Sequence, residues 1–190
     1  MRTLKTLFTL LLITGPAHAQ DWTAGTAARA IEGPGHVALM ALLAEPDTSL
    51  APFTTDGCSG GLSDAWRVVA NQYPDFAETH QSAPPWEACC VTHDRAYHNA
   101  GNTSDATDSF DARLTADQTL RSCVIETGQD RANALSDHYE VTPDHITAAY
   151  ASIAQTMFLA VRFGGGACTG LPWRWGYGYP GCAAVTGLFD

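Results

Sequence analysis

The chain has 190 residues, with 10 basic side chains against 20 acidic ones and a formal net charge of −10. Such a balance offers no basic surface to displace counterions, which excludes nucleic acid as a partner, and it disfavours docking on strongly anionic membranes. The length suits one domain with a core of its own.

The first stretch reads "MRTLKTLFTLLLITGPAHAQ". Arg2 and Lys5 precede a short apolar run, Leu7 to Ile13, and Ala17-His18-Ala19 is an A-x-A cleavage signature. Residues 1–19 therefore read as a secretory signal peptide. The run is shorter than the ~20 apolar residues of a membrane span. Cleavage leaves residues 20–190 as a single domain of 171 residues (190 less 19), with a charge of −12 and no lysine. The expected location is secreted or periplasmic. All six cysteines lie in this part, and an even count in an exported chain implies up to three disulfides. A zinc site would need a second short ligand pair, which is missing.

Helix signals dominate the mature chain, and no alternation is long enough to indicate a sheet. "HVALMALLA", His36 to Ala44, reads as a short apolar helix opened by Gly33-Pro34-Gly35. Thr54 to Asp64, "TTDGCSGGLSD", reads as a glycine-rich loop. Pro84-Pro85 can open a helix that Gly101 closes, giving an element from about Pro85 to Ala100. A second helix is expected from Ser109 to Thr127 with Gly128 as its cap. A third starts at Thr142-Pro143 and ends near Phe163. Its stripe of Ile146, Tyr150, Ile153, Met157 and Val161 has helical spacing. Asp144, His145, Gln155 and Arg162 argue against reading it as a transmembrane span. The tail holds Trp173, Trp175, Tyr177 and Tyr179 among glycines, bracketed by Cys168 and Cys182. Those aromatics suit either a membrane interface or an ordinary core.

The stretch "WEACCVTHDRAYH" concentrates chemistry on one helix. Cys89, His93 and Tyr97 stand at i, i+4 and i+8 on one face, and Cys90 and Asp94 share the next. In the second helix Asp117 interrupts the apolar stripe Phe110, Leu114, Leu120 and Val124, so its carboxylate faces inward and needs a partner. If the two helices are antiparallel and Cys89 bonds Cys123, helical rise brings His93 and Asp117 together, with Tyr97 one turn further on. A histidine oriented by a buried aspartate is a general-base arrangement. No nucleophile-elbow serine is present, so the base would act on water. Asp94, about 100° around the helix, could bind a hard cation with carbonyls of the "DGCSGG" loop, which a Cys58–Cys90 disulfide would pin beside it.

The combination Cys89-Cys90-x-x-His93-Asp94-x-x-Tyr97, with Asp117 six residues before Cys123, resembles the secreted phospholipase A2 family, particularly its short bacterial members. The resemblance spans about Asp56 to Val124. It implies a mainly helical, disulfide-stapled fold with two antiparallel central helices and a glycine-rich calcium loop. It also implies hydrolysis of the sn-2 ester of glycerophospholipids at a membrane or micelle surface. His93 would activate water and Asp117 and Tyr97 would support it. Ca2+ would be held by Asp94 and by the carbonyls of Gly57, Ser59 and Gly61. The chain departs from the family at Ala96 and Ala116, where a cysteine pair is common. It also departs in the loop, where Ser59-Gly60-Gly61-Leu62 follows Cys58 instead of Gly-x-Gly-Gly. Two other readings compete. One is a metal phosphohydrolase using His80, His93, Asp94 and Asp144. The other is a secreted, non-catalytic lipid- or protein-binding module on the same disulfide frame.

Overall fold

The computed structural model describes residues 17–58 and 61–182, with side chains from residue 25 onward. The described residues form helices and connecting loops, with no strand among them. The helices are α1 (Ala17–Leu43), α2 (Leu62–Gln72), α3 (Pro74–His80), α4 (Glu87–His98), α5 (Ala106–Tyr139) and α6 (Pro143–Gly164). A 3₁₀ turn, Ala100–Asn102, links α4 to α5. Met1 to Pro16, most of the expected signal segment, lie outside the described residues.

The cysteines pair as Cys58–Cys90, Cys89–Cys123 and Cys168–Cys182. Three disulfides fit an oxidising compartment outside the cytosol. Contacts between α4 and α5 run in opposite directions along the two helices: Cys89 meets Cys123, His93 meets Asp117, and Tyr97 meets Arg113. The helices are therefore antiparallel. Helices α5 and α6 are antiparallel too, since Gly128 lies against Tyr150 and Asp117 against Arg162.

Two elements differ from their expected bounds. The Gly33-Pro34-Gly35 sequence does not open a helix but lies inside α1. Gly33 has no Cβ to collide with the proline ring, which removes much of the usual penalty on the preceding residue. Gly35 lets the chain approach closely, since a Cβ there would stand 2.6 Å from the Ala167 carbonyl oxygen. Likewise α5 does not stop at Gly128 but continues to Tyr139. Gly128 is small because α6 crosses there, and a Cβ would stand 2.3 Å from Tyr150 Cβ. The start of α5 is capped by Asp105, whose carboxylate accepts from the N–H groups of Thr107 and Asp108.

Two apolar clusters flank the middle of α4. One packs Trp86, Leu120, Val124, Leu135 and Tyr150 around the two α4 disulfides. The other packs Leu39, Tyr97, Ala167 and Trp175 under the tail. The tail answers the orphan carbonyls at the end of α4: Gly176 N–H donates to the Tyr97 carbonyl at 2.7 Å and Gly178 N–H to that of His98 at 3.0 Å. Ala51 N–H donates to the Gly178 carbonyl at 2.8 Å, so the tail also straps the loop that precedes Cys58. Trp175 is core, whereas Trp173 remains 44% exposed. By length and composition α6 is apolar enough to cross a membrane, yet it lies along α5 and sends Arg162 into a buried ion pair.

The α5–α6 crossing depends on the missing side chain at Gly128. Gly128→Val should destabilise the domain by about 1–3 kcal/mol, the usual result of overpacking. The denaturant midpoint of the oxidised protein should fall accordingly, with all three disulfides still formed.

Candidate active site

The site begins with the backbone of α4. Successive turns place Cys89, His93 and Tyr97 on the face toward α5, and the Cys89–Cys123 bridge fixes the register. In that register His93 Nε2 donates to Asp117 Oδ1 at 2.9 Å, and Tyr97 OH donates to the same oxygen at 2.7 Å. Asp117 is 0% exposed and the His93 side chain 6%. A carboxylate on Nε2 assigns the proton of a neutral imidazole to that nitrogen and leaves the Nδ1 lone pair available. The closest charged group to Nδ1 is Asp94 Oδ1 at 3.9 Å, too far for a hydrogen bond.

The second Asp117 oxygen is also occupied. Arg162 Nη1 donates to Oδ2 at 2.9 Å. Arg162 pairs in turn with Glu32 of α1, which also pairs with Arg113. Arg113 Nε donates to Tyr97 OH at 3.1 Å, and its Nη2 donates to the carbonyls of Val161 and Arg162 at 2.8 and 2.9 Å. Asp117, Arg162, Glu32, Arg113 and Tyr97 thus form a closed ring through α1, α4, α5 and α6. Two anions and two guanidiniums balance within it.

Electrostatics follow from this packing. Burial alone would lower the His93 pKa, but the Asp117 hydrogen bond and the Asp94 carboxylate outweigh it, and the net shift is upward. Burial would raise the Asp117 pKa, but the His93 hydrogen bond and the Arg113 charge outweigh it, and the net shift is downward. Burial and Asp117 together hold the Tyr97 phenol well above its ordinary value, so it stays a donor.

Asp94 sits on the neighbouring face of α4, its side chain 13% exposed. Thr55 Oγ1 donates to Asp94 Oδ2 at 2.6 Å. The Cys58–Cys90 bridge holds this loop against the helix. Gly57 has φ +84, and a Cβ there would stand 2.5 Å from Glu87 Oε1, so the loop can turn here only with glycine. Gly61, φ +78, caps α2, and its carbonyl accepts from Ala65 N–H at 2.8 Å. Ser59 lies outside the described residues. A cavity of about 500 Å³ lies over this loop, lined by Thr55, Asp56, Gly61, Asp94, Trp173 and Tyr177. A second cavity, about 260 Å³ and mainly apolar, shares Asp94 and Trp173 with the first. Its wall includes His93, Leu62, Met157 and Val161. The two spaces therefore meet at Asp94 and Trp173, and His93 lines the apolar one.

Asp94 thus faces hard oxygen donors, with Asp56 as a second carboxylate in the same wall. The lining contains no lysine or arginine. This donor set suits a hard divalent cation. By contrast, His80 bonds to Tyr139 OH and Asp144 is an exposed residue in the first turn of α6. The structure does not assemble them with His93. Among the described residues no group of three His, Cys, Asp or Glu side chains could hold a metal by themselves. Reading the sequence misses Glu32, Arg113 and Arg162, whose pairing joins distant segments. It also misses Asp56 as a candidate ligand, although that residue stands two positions before the loop cysteine.

The upward shift of His93 can be measured by following its imidazole signals against pH. The midpoint should lie above the ordinary 6.5, and Asp117→Asn should lower it, because burial then meets less opposition. Stability should respond at both ends of the pH range. The His93–Asp117 charge pair contributes fully below 6.5 and is lost as pH rises through the raised His93 value. The lowered Asp117 pKa adds stability above the carboxylate range that is lost in acid.

The chain matches no protein-family model, no curated protein and no solved structure.

Proposed function

We propose that the protein is an exported phospholipase A2-like hydrolase that cleaves the sn-2 ester of glycerophospholipids. One observation carries the reading. His93 is tied through Nε2 to a buried aspartate, leaves Nδ1 available to take a proton, and lines an apolar cavity that shares Asp94 and Trp173 with a more polar one. An amphiphile fits that pair of spaces. Its acyl chain enters the apolar cavity against Leu62, Met157 and Val161, its polar head lies over the Asp94 loop, and its ester falls beside His93. The resemblance to the secreted phospholipase A2 helix, Cys89-Cys90-x-x-His93-Asp94-x-x-Tyr97, supports the same assignment.

In this mechanism His93 Nδ1 removes a proton from water as the oxygen attacks the ester carbonyl. Asp117 holds the imidazole in the required tautomer and balances the imidazolium as it forms, with Tyr97 steadying the carboxylate. Protonation of the leaving glycerol oxygen returns the proton and regenerates the neutral base. Asp94, Asp56 and the carbonyls of Gly57, Ser59 and Gly61 would hold calcium. When bound, calcium supplies positive charge for the phosphate and for the oxyanion of the reacting carbonyl. Because His93 must be neutral, the rate falls as pH drops through its raised pKa.

The cavity mouth also supplies a surface for lipid. Trp173 is 44% exposed where the two cavities meet, and Phe163 on α6 is 87% exposed. An exposed aromatic of this kind favours the bilayer interface, and the excess of acid favours zwitterionic over strongly anionic bilayers.

The test uses phospholipid labelled separately at each acyl position, incubated with the mature protein in calcium or in chelator. Fatty acid from the sn-2 position, only with calcium, is the expected product. Release from sn-1, or none from either position, contradicts the reading. Asp94→Asn should weaken calcium binding by calorimetry and leave the disulfides unchanged. Trp173→Ala should reduce the rate on zwitterionic vesicles several-fold more than on a monomeric short-chain phospholipid.

A further inference from the structure

The dyad of His93 and Asp117 uses one carboxylate oxygen. The other oxygen is held by Arg162, which no step of the proposed hydrolysis requires. Arg162 comes from α6, 45 residues along the chain from Asp117, and reaches it in a space where Asp117 has no solvent contact. Its second amino group is tied to Glu32 of α1. Glu32 also fixes Arg113, and Arg113 Nε meets the same Tyr97 hydroxyl that donates to Asp117. Each member of the ring is therefore restrained by two others.

We propose that Arg162, with Glu32 behind it, is a positioning residue for the His93–Asp117 dyad. This rests on the phospholipase-like reading for its kinetic consequence, though not for its structural one. A carboxylate held only through Oδ1 can rotate about its Cβ–Cγ bond, and a terminal torsion of this kind is broad. Arg162 on Oδ2 fixes the carboxylate plane. Oδ1 then points at His93 Nε2, and Nδ1 is aimed at the cavity. Glu32 prevents the guanidinium from swinging to solvent and gives the two arginines a counter-charge. A free charge at this depth would be expensive. The ring also ties α1 to the site, so the sequence outside the resemblance contributes to its geometry. Misplacement of a reacting group by about 1 Å can reduce a rate by ~10²-fold, which sets the scale for losing this restraint.

The experiment compares the mature wild type with Arg162→Gln and Arg162→Lys. The first readout is the proton NMR resonance of His93 Nε2–H at one fixed pH, where a proton held in a histidine–aspartate bond is shifted downfield and protected from exchange. The second is kcat and KM on a monomeric short-chain phospholipid at matched calcium. The expected result is loss or broadening of that resonance in Arg162→Gln. Its kcat should fall about 10- to 100-fold with KM within about twofold, and lysine should restore the resonance and most of kcat. An intact resonance with unchanged kcat in Arg162→Gln overturns the proposal, as does equal loss in the lysine variant. If the wild type hydrolyses no phospholipid, the resonance alone decides the positioning role and the failure belongs to the proposed activity. If Arg162→Gln does not fold, Glu32→Gln takes its place. It loosens Arg162 without deleting it, and a smaller loss of the same two signals is expected. No change in Glu32→Gln would count against the ring.

Discussion

Asp117 carries a carboxylate with no exposed surface on a helix otherwise striped with apolar residues. Burying such a group is tolerable only when its charge and lone pairs are met. The structure meets them with four side chains from three helices: His93 and Tyr97 on α4, Arg113 nearby on α5, and Arg162 on α6. Glu32 on α1 then balances the two arginines. Much of the helical packing serves this one requirement. The Cys89–Cys123 bridge sets the register that brings His93 to Asp117, and the small contact at Gly128 lets α6 lie close enough for Arg162 to reach.

The same arrangement gives His93 two different nitrogens. One is committed to a charge in the interior, and the other is left unused by Asp117 on a ring that lines the apolar cavity. Asp94 is next to His93 in sequence, so the neighbouring face of the same helix addresses the oxygen-rich space. One short helix therefore turns His93 toward an apolar slot and Asp94 toward the place where that slot adjoins a more polar space. The tail completes both spaces, since Trp173 belongs to both walls and Tyr177 to the polar one. Tyr177 OH also donates to the Thr54 carbonyl, which couples the tail to the loop beside Asp94.

What the sequence made legible was local or covalently marked. Spacing at i, i+4 and i+8 put Cys89, His93 and Tyr97 on one face. An aspartate inside an apolar stripe announced a buried partner, and an antiparallel pair of helices with a Cys89–Cys123 bridge brought that partner within reach. Thr142-Pro143 marked the start of α6 correctly because a proline in the first turn needs no N–H partner and presets the helical φ, which is a local effect. Punctuation by glycine and proline was a poorer guide. Gly128 and Gly33-Pro34-Gly35 read as breaks, whereas each sits where another segment packs too closely for a side chain or where a helix carries its proline without a break. The Glu32–Arg162–Asp117 and Glu32–Arg113 pairs left no trace in spacing, because their members lie in separate helices far apart in sequence. Such pairs become visible only when the packing is known.

The proposed hydrolysis requires His93 as the base that activates water. The most direct measurement is the initial rate of fatty acid release by His93→Gln against wild type, on the same phospholipid at matched calcium, with calcium binding and disulfides checked in both. Removal of a general base typically costs ~10²–10⁴-fold. A loss in that range or beyond is expected for His93→Gln, with calcium binding intact. Undiminished release by His93→Gln would contradict it.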